Sequence, residues 1–286
     1  MKTNRANTWK CRDRVLTFRD RPLIMGILNV TPDSFSDGGC FADTESAVAR
    51  GIRMLEEGAD IIDIGGESTR PGAAAVSAEE EMKRVLPVVE KLFRETRAVI
   101  SVDTMKAAVA GCALEAGACI VNDVSAMTHD PDMKNVVGKY AAGAVLMHMR
   151  GTPGTMQKEP HYKDVVAEVN SYLGGRVDAL VKAGLDVETL AIDPGIGFGK
   201  TVEHNLSLLA GLEVFVDAGR PVVVGVSRKG FIGRITGCQV DQRLPGSLAA
   251  LTACVLKGVG VMRVHDVKES KQAAQMAVQI AGSRLG

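Results

Sequence analysis

The sequence predicts an α/β protein, a (β/α)8 TIM barrel preceded by a short N-terminal β-hairpin, and three observations predict it. Short apolar runs recur along the chain, each stopped by a polar or glycine-rich cluster. These runs are rich in β-branched residues and lack strict alternation, as strands covered on both faces should. Helical segments fill the stretches between them, and eight such β-then-α units fit the 286 residues without a change of spacing. A doubly wound sheet is the alternative, but the even spacing favours closure.

The strands follow in order. Leu23–Leu28 ends at Asn29, Ile61–Ile64 ends in Gly65-Gly66-Glu67, and Val99–Val102 ends at Asp103. Cys119–Val121 ends at Asn122-Asp123, Ala144–Met147 at His148, and Leu190–Ile192 at Asp193. Val222–Val226 ends at Ser227-Arg228-Lys229, and Val259–Met262 ends near Arg263 and His265. Between them, Thr44 to Glu57 opens with an N-cap candidate and repeats apolar residues at helical spacing. Ser77-Ala78-Glu79-Glu80 has the same start signature and leads into Met82–Arg94. Leu185 and Gly219 lie in turn-like stretches before the sixth and seventh strands. Trp9 to Arg19 precedes the barrel and is expected to form a hairpin plugging its bottom. No linker or low-complexity tract divides the chain, so residues 1–286 read as one domain.

Composition narrows the function. Lys plus Arg equals Asp plus Glu, at 34 each, which gives no electrostatic reason to expect nucleic acid or an acidic membrane as partner. No apolar run approaches a membrane span, and Met1 to Arg14 lacks an apolar signal core, so the chain reads as cytoplasmic. Its six cysteines form no Cys-x-x-Cys pair and read as reduced structural thiols.

A barrel delivers the C-terminal ends of all its strands to one face, where active sites are built. The residues there are Asn29, Asp103, Asn122, Asp193, Lys229, Arg263 and His265. Each alone could merely cap the next helix; seven together are harder to explain that way. Asp103, Asn122 and Asp193 offer acceptors and amide donors suited to a flat, multiply hydrogen-bonding heterocycle. Lys229, Arg263 and His265 offer positive charge to an anionic leaving group or a carboxylate. Asn29 supplies a neutral oxygen that could help hold magnesium. Arg263, if structural instead, has Asp266 as its nearest candidate partner in sequence. Two loops, 31–39 and 65–72, are rich in Gly, Ser, Asp and Pro and suit lids over such a face. The stretch Asp193–Thr201 looks like a P-loop but fails the pattern, because the required first Gly falls on Pro194.

The motifs are long enough to carry a resemblance. Met25-Gly26-Ile27-Leu28-Asn29-Val30-Thr31-Pro32-Asp33-Ser34-Phe35-Ser36-Asp37-Gly38-Gly39 is one, and Asp63-Ile64-Gly65-Gly66-Glu67-Ser68-Thr69-Arg70-Pro71-Gly72 another. Ser101–Thr104, Leu146–Met149, Asp193–Lys200, Ser227–Phe231 and Arg263–Asp266 extend the match over nearly the whole chain. Through these motifs the sequence closely resembles the dihydropteroate synthase family.

The resemblance implies a transferase of folate biosynthesis that joins a pterin diphosphate to para-aminobenzoate. Asp103, Asn122, Asp193 and Lys229 would bind the pterin edge, with Met147 and Phe198 near its faces. Thr69, Arg263 and His265 would hold diphosphate oxygens, and Asn29 would ligate Mg2+ on the diphosphate. Ser34, Phe35, Arg70 and Pro71 would sit on loops closing over para-aminobenzoate, whose carboxylate would lie near Lys229 and Gly230. Gly230 departs from the pattern, since many relatives are expected to carry Ser there. Asp103, Lys229, Arg263 and His265 would be the catalytic set. Diphosphate would leave the pterin methylene carbon as the aromatic amine attacks, with no enzyme nucleophile. The resemblance further implies a homodimer through helices away from the active face, and a sulfonamide target. Two rivals share the pterin residues: a pterin-dependent methyltransferase of the same superfamily, and a pterin-binding paralogue without activity.

Overall fold

The structure is a computed structural model and describes residues 5–31, 39–68, 76–151, 156 and 160–283, with the backbone alone at 39–43. The chain opens with an antiparallel hairpin, β1 (Thr8–Cys11) and β2 (Arg14–Thr17), turned at Arg12 with φ +58°. Then follow β3 (Leu23–Asn29), α1 (Gly39–Glu57), β4 (Ile61–Gly65), α2 (Ala78–Thr96), β5 (Val99–Asp103), α3 (Ala107–Glu115), β6 (Ile120–Asp123) and α4 (Met133–Tyr140). The second half carries β7 (Gly143–Met147), α5 (Val165–Lys182), β8 (Leu190–Asp193), α6 (Val202–Ala210), α7 (Leu212–Val216), β9 (Val223–Gly225), α8 (Gly230–Thr236), α9 (Leu244–Leu256), β10 (Val261–Val264) and α10 (Val267–Gly282).

The eight strands β3 to β10 pair in parallel, in the order β8-β7-β6-β5-β4-β3-β10-β9. A bridge between Ile192 and Val222, with Ile192 N–H donating to the Pro221 carbonyl at 2.9 Å, brings β8 against β9 and closes the ring. The barrel expected from even spacing is therefore present. Register then sets the mouth: Asn29 pairs with Gly65, Gly65 with Asp103, Asp103 with Asn122, and Met147 with Asp193. Residues distant in sequence end in neighbouring rows because parallel pairing aligns strand ends.

Side chains alternate between the lumen and the helical layer. Ile24, Ile62, Ile64, Ile100, Val102 and Leu146 pack in the large core between strands and helices. Met25, Ile61, Ile120, Val145, Ala191, Val223 and Val261 form a second cluster with Trp9 and Cys11 of the hairpin. That second cluster is the floor of the lumen, and the hairpin plugs it as the sequence suggests. Trp9 is fully buried, and its indole N–H donates to the Thr189 carbonyl at 2.8 Å. Arg12 donates to the carbonyls of Leu114 and Ala118 at 2.7 and 2.8 Å, tying the turn to the end of α3.

Two expectations about helix starts fare differently. Ser77 caps α2, its hydroxyl accepting from the Glu80 N–H at 3.2 Å. Thr44 does not cap α1, because that helix begins five residues earlier, at Gly39. Nothing between Cys40 and Asp43 is Pro or Gly, so propagation through that stretch costs little. The cysteines at 11, 112, 119, 238 and 254 are free thiols. No described helix is long and apolar enough to cross a membrane.

Candidate active site at the barrel mouth

Two residues above the apolar floor, the same lumen-facing parity turns polar. Ile61 is followed by Asp63, Ile120 by Asn122, Ala191 by Asp193 and Val261 by Arg263. Asp103, Asn122, Met147, Asp193, Phe198, Lys229 and Arg263 line one cavity at this level, together with Gly195, Ile196 and Gly225. Seven of the residues singled out from sequence thus converge.

The loop after β8 shapes one wall. Asp193 Oδ1 accepts from the Gly195 N–H at 2.7 Å, which leaves Oδ2 for a ligand. Gly195 has φ +69°, and a Cβ there would stand 1.9 Å from the His148 carbonyl oxygen, so no other residue fits. Phe198, three residues on, lies under the ammonium of Lys229, with Nζ 4.0 Å from the ring centroid. Lys229 precedes α8 in extended conformation, and burial pulls its ammonium down to about 8. Burial pushes Asp193 the other way, upward.

Arg263 holds the centre. Its Nε donates to Asp63 Oδ2 at 2.6 Å and its Nη2 to Asp103 Oδ2 at 2.7 Å. Asn122 Nδ2 also donates to Asp63 Oδ2, at 3.0 Å. Burial pushes Asp103 up to about 7; Arg263 opposes that, while Asp63 adds to it. Two carboxylates facing one guanidinium leave the cluster short of positive charge, so it would welcome N–H donors. Arg263 is not the partner of Asp266. Asp266 takes Arg228 instead, with Nε–Oδ2 at 3.0 Å, because Asp266 follows the end of β10 and lies outside the lumen row that Arg263 occupies.

His265 stands beside this cluster. Its backbone N–H donates to Ser227 Oγ at 3.2 Å, and its Nδ1 lies 3.0 Å from the same oxygen. Burial and then Arg263 pull its imidazole down to about 4. Asn29, half-buried, ends β3 opposite Gly65. Among the described residues no group of three or more His, Cys, Asp or Glu could hold a metal. A single carboxamide oxygen fits a magnesium ion that arrives on phosphate and keeps most of its shell there. Gly230 is the first residue of α8, and a Cβ added to it meets nothing within 4 Å. Ser34, Phe35, Thr69, Arg70 and Pro71 lie outside the described residues.

Sequence reasoning missed two groups. Asp63 was visible only as one charge inside the apolar run Ile61–Ile64; sharing parity with Ile61 was the signal that it faces the lumen. Lys200 is the other: buried, it donates to the Phe198 carbonyl at 2.9 Å and meets His148 Nδ1 at 3.1 Å, bracing the Phe198 loop against the end of β7. Burial pulls Lys200 down to about 7 and His148 down to about 3.

The parallel barrel with hydrogen-bonding groups gathered at its mouth belongs to the class of pterin binding enzymes: the family model described as "Pterin binding enzyme" matches residues 25–265. The chain is 45% identical over 261 residues to the dihydropteroate synthase of Bacillus subtilis, covering 91% of this chain and 89% of that protein. Its fold is similar to that of a Xanthomonas albilineans dihydropteroate synthase solved with 4-aminobenzoic acid: TM-score 0.90, 46% identity, 98% of this chain and 100% of that one. A structure from the same organism in complex with 7,8-dihydropteroate gives TM-score 0.87 at 44% identity, covering 97% and 100%. The chain belongs to the dihydropteroate synthase family.

Proposed function

We propose that the mouth of the barrel is where this chain joins 6-hydroxymethyl-7,8-dihydropterin diphosphate to para-aminobenzoate, giving 7,8-dihydropteroate and diphosphate. The observation that carries this is the convergence of Asp103, Asn122, Asp193 and Lys229 on one cavity. A pterin edge offers N–H donors to carboxylates and a carbonyl to an ammonium, and a buried site must match each group. Asp193 takes ring donors on Oδ2, Lys229 donates to the ring oxygen, and Met147 and Phe198 lie along the ring.

The reacting bond is the one between the pterin methylene carbon and the diphosphate oxygen. As it breaks, the electron-rich pterin ring shares the positive charge of the carbon, and the diphosphate carries the negative charge away. Arg263 and His265 serve that leaving group, and Thr69 is assigned to it with them; Arg263 is the group able to fork onto phosphate oxygens. Asn29 would hold a magnesium ion brought in on the diphosphate, and that ion would supply charge neutralisation to the leaving group. The aromatic amine attacks the methylene carbon and releases its proton to solvent. No side chain becomes covalently attached: the methylene carbon exchanges the diphosphate oxygen directly for the amine nitrogen. Ser34, Phe35, Arg70 and Pro71 are the residues assigned to para-aminobenzoate, whose carboxylate lies near Lys229 and the backbone N–H of Gly230.

The direct test is product formation from the two substrates, with and without magnesium. Turnover that needs both substrates and weakens on chelation supports the reading; binding of a pterin without turnover contradicts it.

The same reading makes the chain a cytoplasmic homodimer. Between Leu244 and Leu256, α9 carries no charged residue, and Leu256, Met276 and Ile280 stand 49%, 61% and 59% exposed on α9 and its neighbour α10. An apolar face of that kind suits a second copy of the chain. Light scattering should return the mass of a dimer.

A further inference from the structure

Asp63 lies one step below the mouth. It sits in the middle of β4 on the lumen side, is fully buried, and does not line the cavity. Its Oδ2 accepts from Asn122 Nδ2 at 3.0 Å and from Arg263 Nε at 2.6 Å. Its Oδ1 has no hydrogen-bond partner among the described residues. A buried acceptor left unmet costs free energy, so this carboxylate is an expensive way to fill the space. What it supplies in return is control over two residues that the cavity uses.

For Asn122 the control is over polarity. A carboxamide offers an oxygen at one end and N–H donors at the other, and half a turn about its last bond exchanges them. A carboxylate can only accept, so beside Asp63 the amide must turn its nitrogen down. The oxygen is then the end left for the cavity. Asp103 and Asp193 add carboxylate oxygens to the same rim, and Lys229 is the ammonium donor among them. Such a rim asks for a ring with N–H groups along its edge. A 7,8-dihydropterin presents N–H at N3, at N8 and at the exocyclic amine. The fully oxidised ring keeps the first and last but carries a bare, accepting nitrogen at position 8. For Arg263 the control is over aim: with Nε held from below, its terminal nitrogens are left for Asp103 and for whatever enters the mouth.

We propose that Asp63 is a positioning residue that locks Asn122 with its oxygen toward the cavity and tethers Arg263 from below, so that the mouth selects the reduced, N–H-bearing ring over its oxidised counterpart. The inference rests on the reading of the cavity as a pterin site. It assigns Asp63 no contact with substrate; every effect passes through Asn122 and Arg263.

The experiment is calorimetric binding of 6-hydroxymethyl-7,8-dihydropterin and of its oxidised form, both without diphosphate. The proteins are the unaltered chain, Asp63→Asn, Asp63→Leu, Asn122→Ala, and each Asp63 variant combined with Asn122→Ala. Asp63→Asn is nearly isosteric and can donate to the Asn122 oxygen, which lets the amide turn over; Asp63→Leu cannot hold the amide at all. The unaltered chain should prefer the reduced ring, and either Asp63 variant should shrink that preference by about fivefold or more. With Asn122→Ala in place, the same Asp63 changes should move the preference by less than about twofold, since the amide is the route to the ring preference and the Arg263 tether serves both rings alike. A merely structural Asp63 would weaken both ligands alike; an unchanged ratio in both variants overturns the proposal. No preference in the unaltered chain overturns it too. Should the unaltered chain bind neither ring, the pterin reading itself fails, an outcome distinct from the other two.

Discussion

The lumen of this barrel has two levels, built by the same strands and the same side-chain parity, two residues apart. The lower level is Met25, Ile61, Ile120, Val145, Ala191, Val223 and Val261 under Trp9 of the hairpin. The upper level is Asn122, Asp193 and Arg263 with Asp103 and Lys229, braced from just below by Asp63. Below, apolar surface is removed from water and every contact favours folding. Above, carboxylates and cations are removed from water as well, and burial displaces Asp103, Asp193 and Lys229 from their ordinary titration ranges. The comparison teaches that stability and chemistry are divided by height in the barrel: the floor stabilises the fold, and the mouth gives up stability to hold groups that a ligand will satisfy.

The strongest way to break that division is at the floor. Trp9→Ala should destabilise the protein by about 3–5 kcal/mol, the usual loss for a buried Trp. Below its lowered melting temperature, the variant should bind pterin as the parent does. Denaturant titration paired with calorimetry checks both, and weaker pterin binding by the folded variant would show that the two levels are not separable.

At the mouth, Arg263→Ala should cost affinity for the pterin diphosphate at least about tenfold more than affinity for the same pterin without diphosphate, because charge-assisted forks to phosphate are lost only with the first. Equal losses would assign Arg263 to the framework, as the brace between Asp63 and Asp103. The sequence alone suggested Asp266 as its alternative partner, and the ion pairs with Asp63 and Asp103 correct that.

Acid should also separate the levels. His148, beside Lys200 at the end of β7, is held neutral by burial, with its imidazole pulled from 6.5 down to about 3. The unfolded chain takes up that proton near pH 6.5 while the folded one does not. The stability His148 contributes is therefore present above pH 6.5 and is lost as pH falls toward about 3. Melting curves across that window should fall steeply, and His148→Gln should make the fall shallower, leaving the part that His265, pulled down to about 4, contributes. A parallel fall in the variant would place the acid sensitivity elsewhere.

The smallest effect is expected at Gly230. A Ser there has room, since a Cβ meets nothing within 4 Å. Gly230→Ser should leave the melting temperature within the scatter of surface changes, about 0.5 kcal/mol. It should lower the KM for para-aminobenzoate by several-fold, on the order of one solvent-exposed hydrogen bond to the carboxylate. An unchanged KM would mean that the backbone N–H already suffices.

Much of this was legible in the sequence, for physical reasons. Parallel strands buried on both faces leave continuous apolar runs, so the eight strands and their terminal residues could be read directly, and closure carried Asp103, Asn122, Asp193, Lys229 and Arg263 to one mouth. The stretch Trp9 to Arg19, lying before the first barrel strand, was readable as the plug. Asp63 was not legible as a site residue, because which parity of a buried strand faces the lumen depends on neighbours far away in sequence. Arg263's partners were misjudged for the same reason: Asp266 is close along the chain, whereas Asp63 and Asp103 lie 200 and 160 residues away. The start of α1 was missed because a good N-cap residue, Thr44, also tolerates a helix interior.

The division between floor and mouth meets its most direct test in Asp193→Asn, measured twice. Asp193 sits at the mouth with its carboxyl pushed upward by burial, so at neutral pH the ionised form opposes folding. Asn removes that opposition and can still accept from the Gly195 N–H. Against a pterin it presents a donor where an acceptor is needed, a buried mismatch of about 1–3 kcal/mol. Calorimetry should therefore show pterin affinity reduced by about tenfold or more, while the melting temperature stays level or rises. Undiminished affinity, or a loss of affinity matched by a clear loss of stability, would contradict the account.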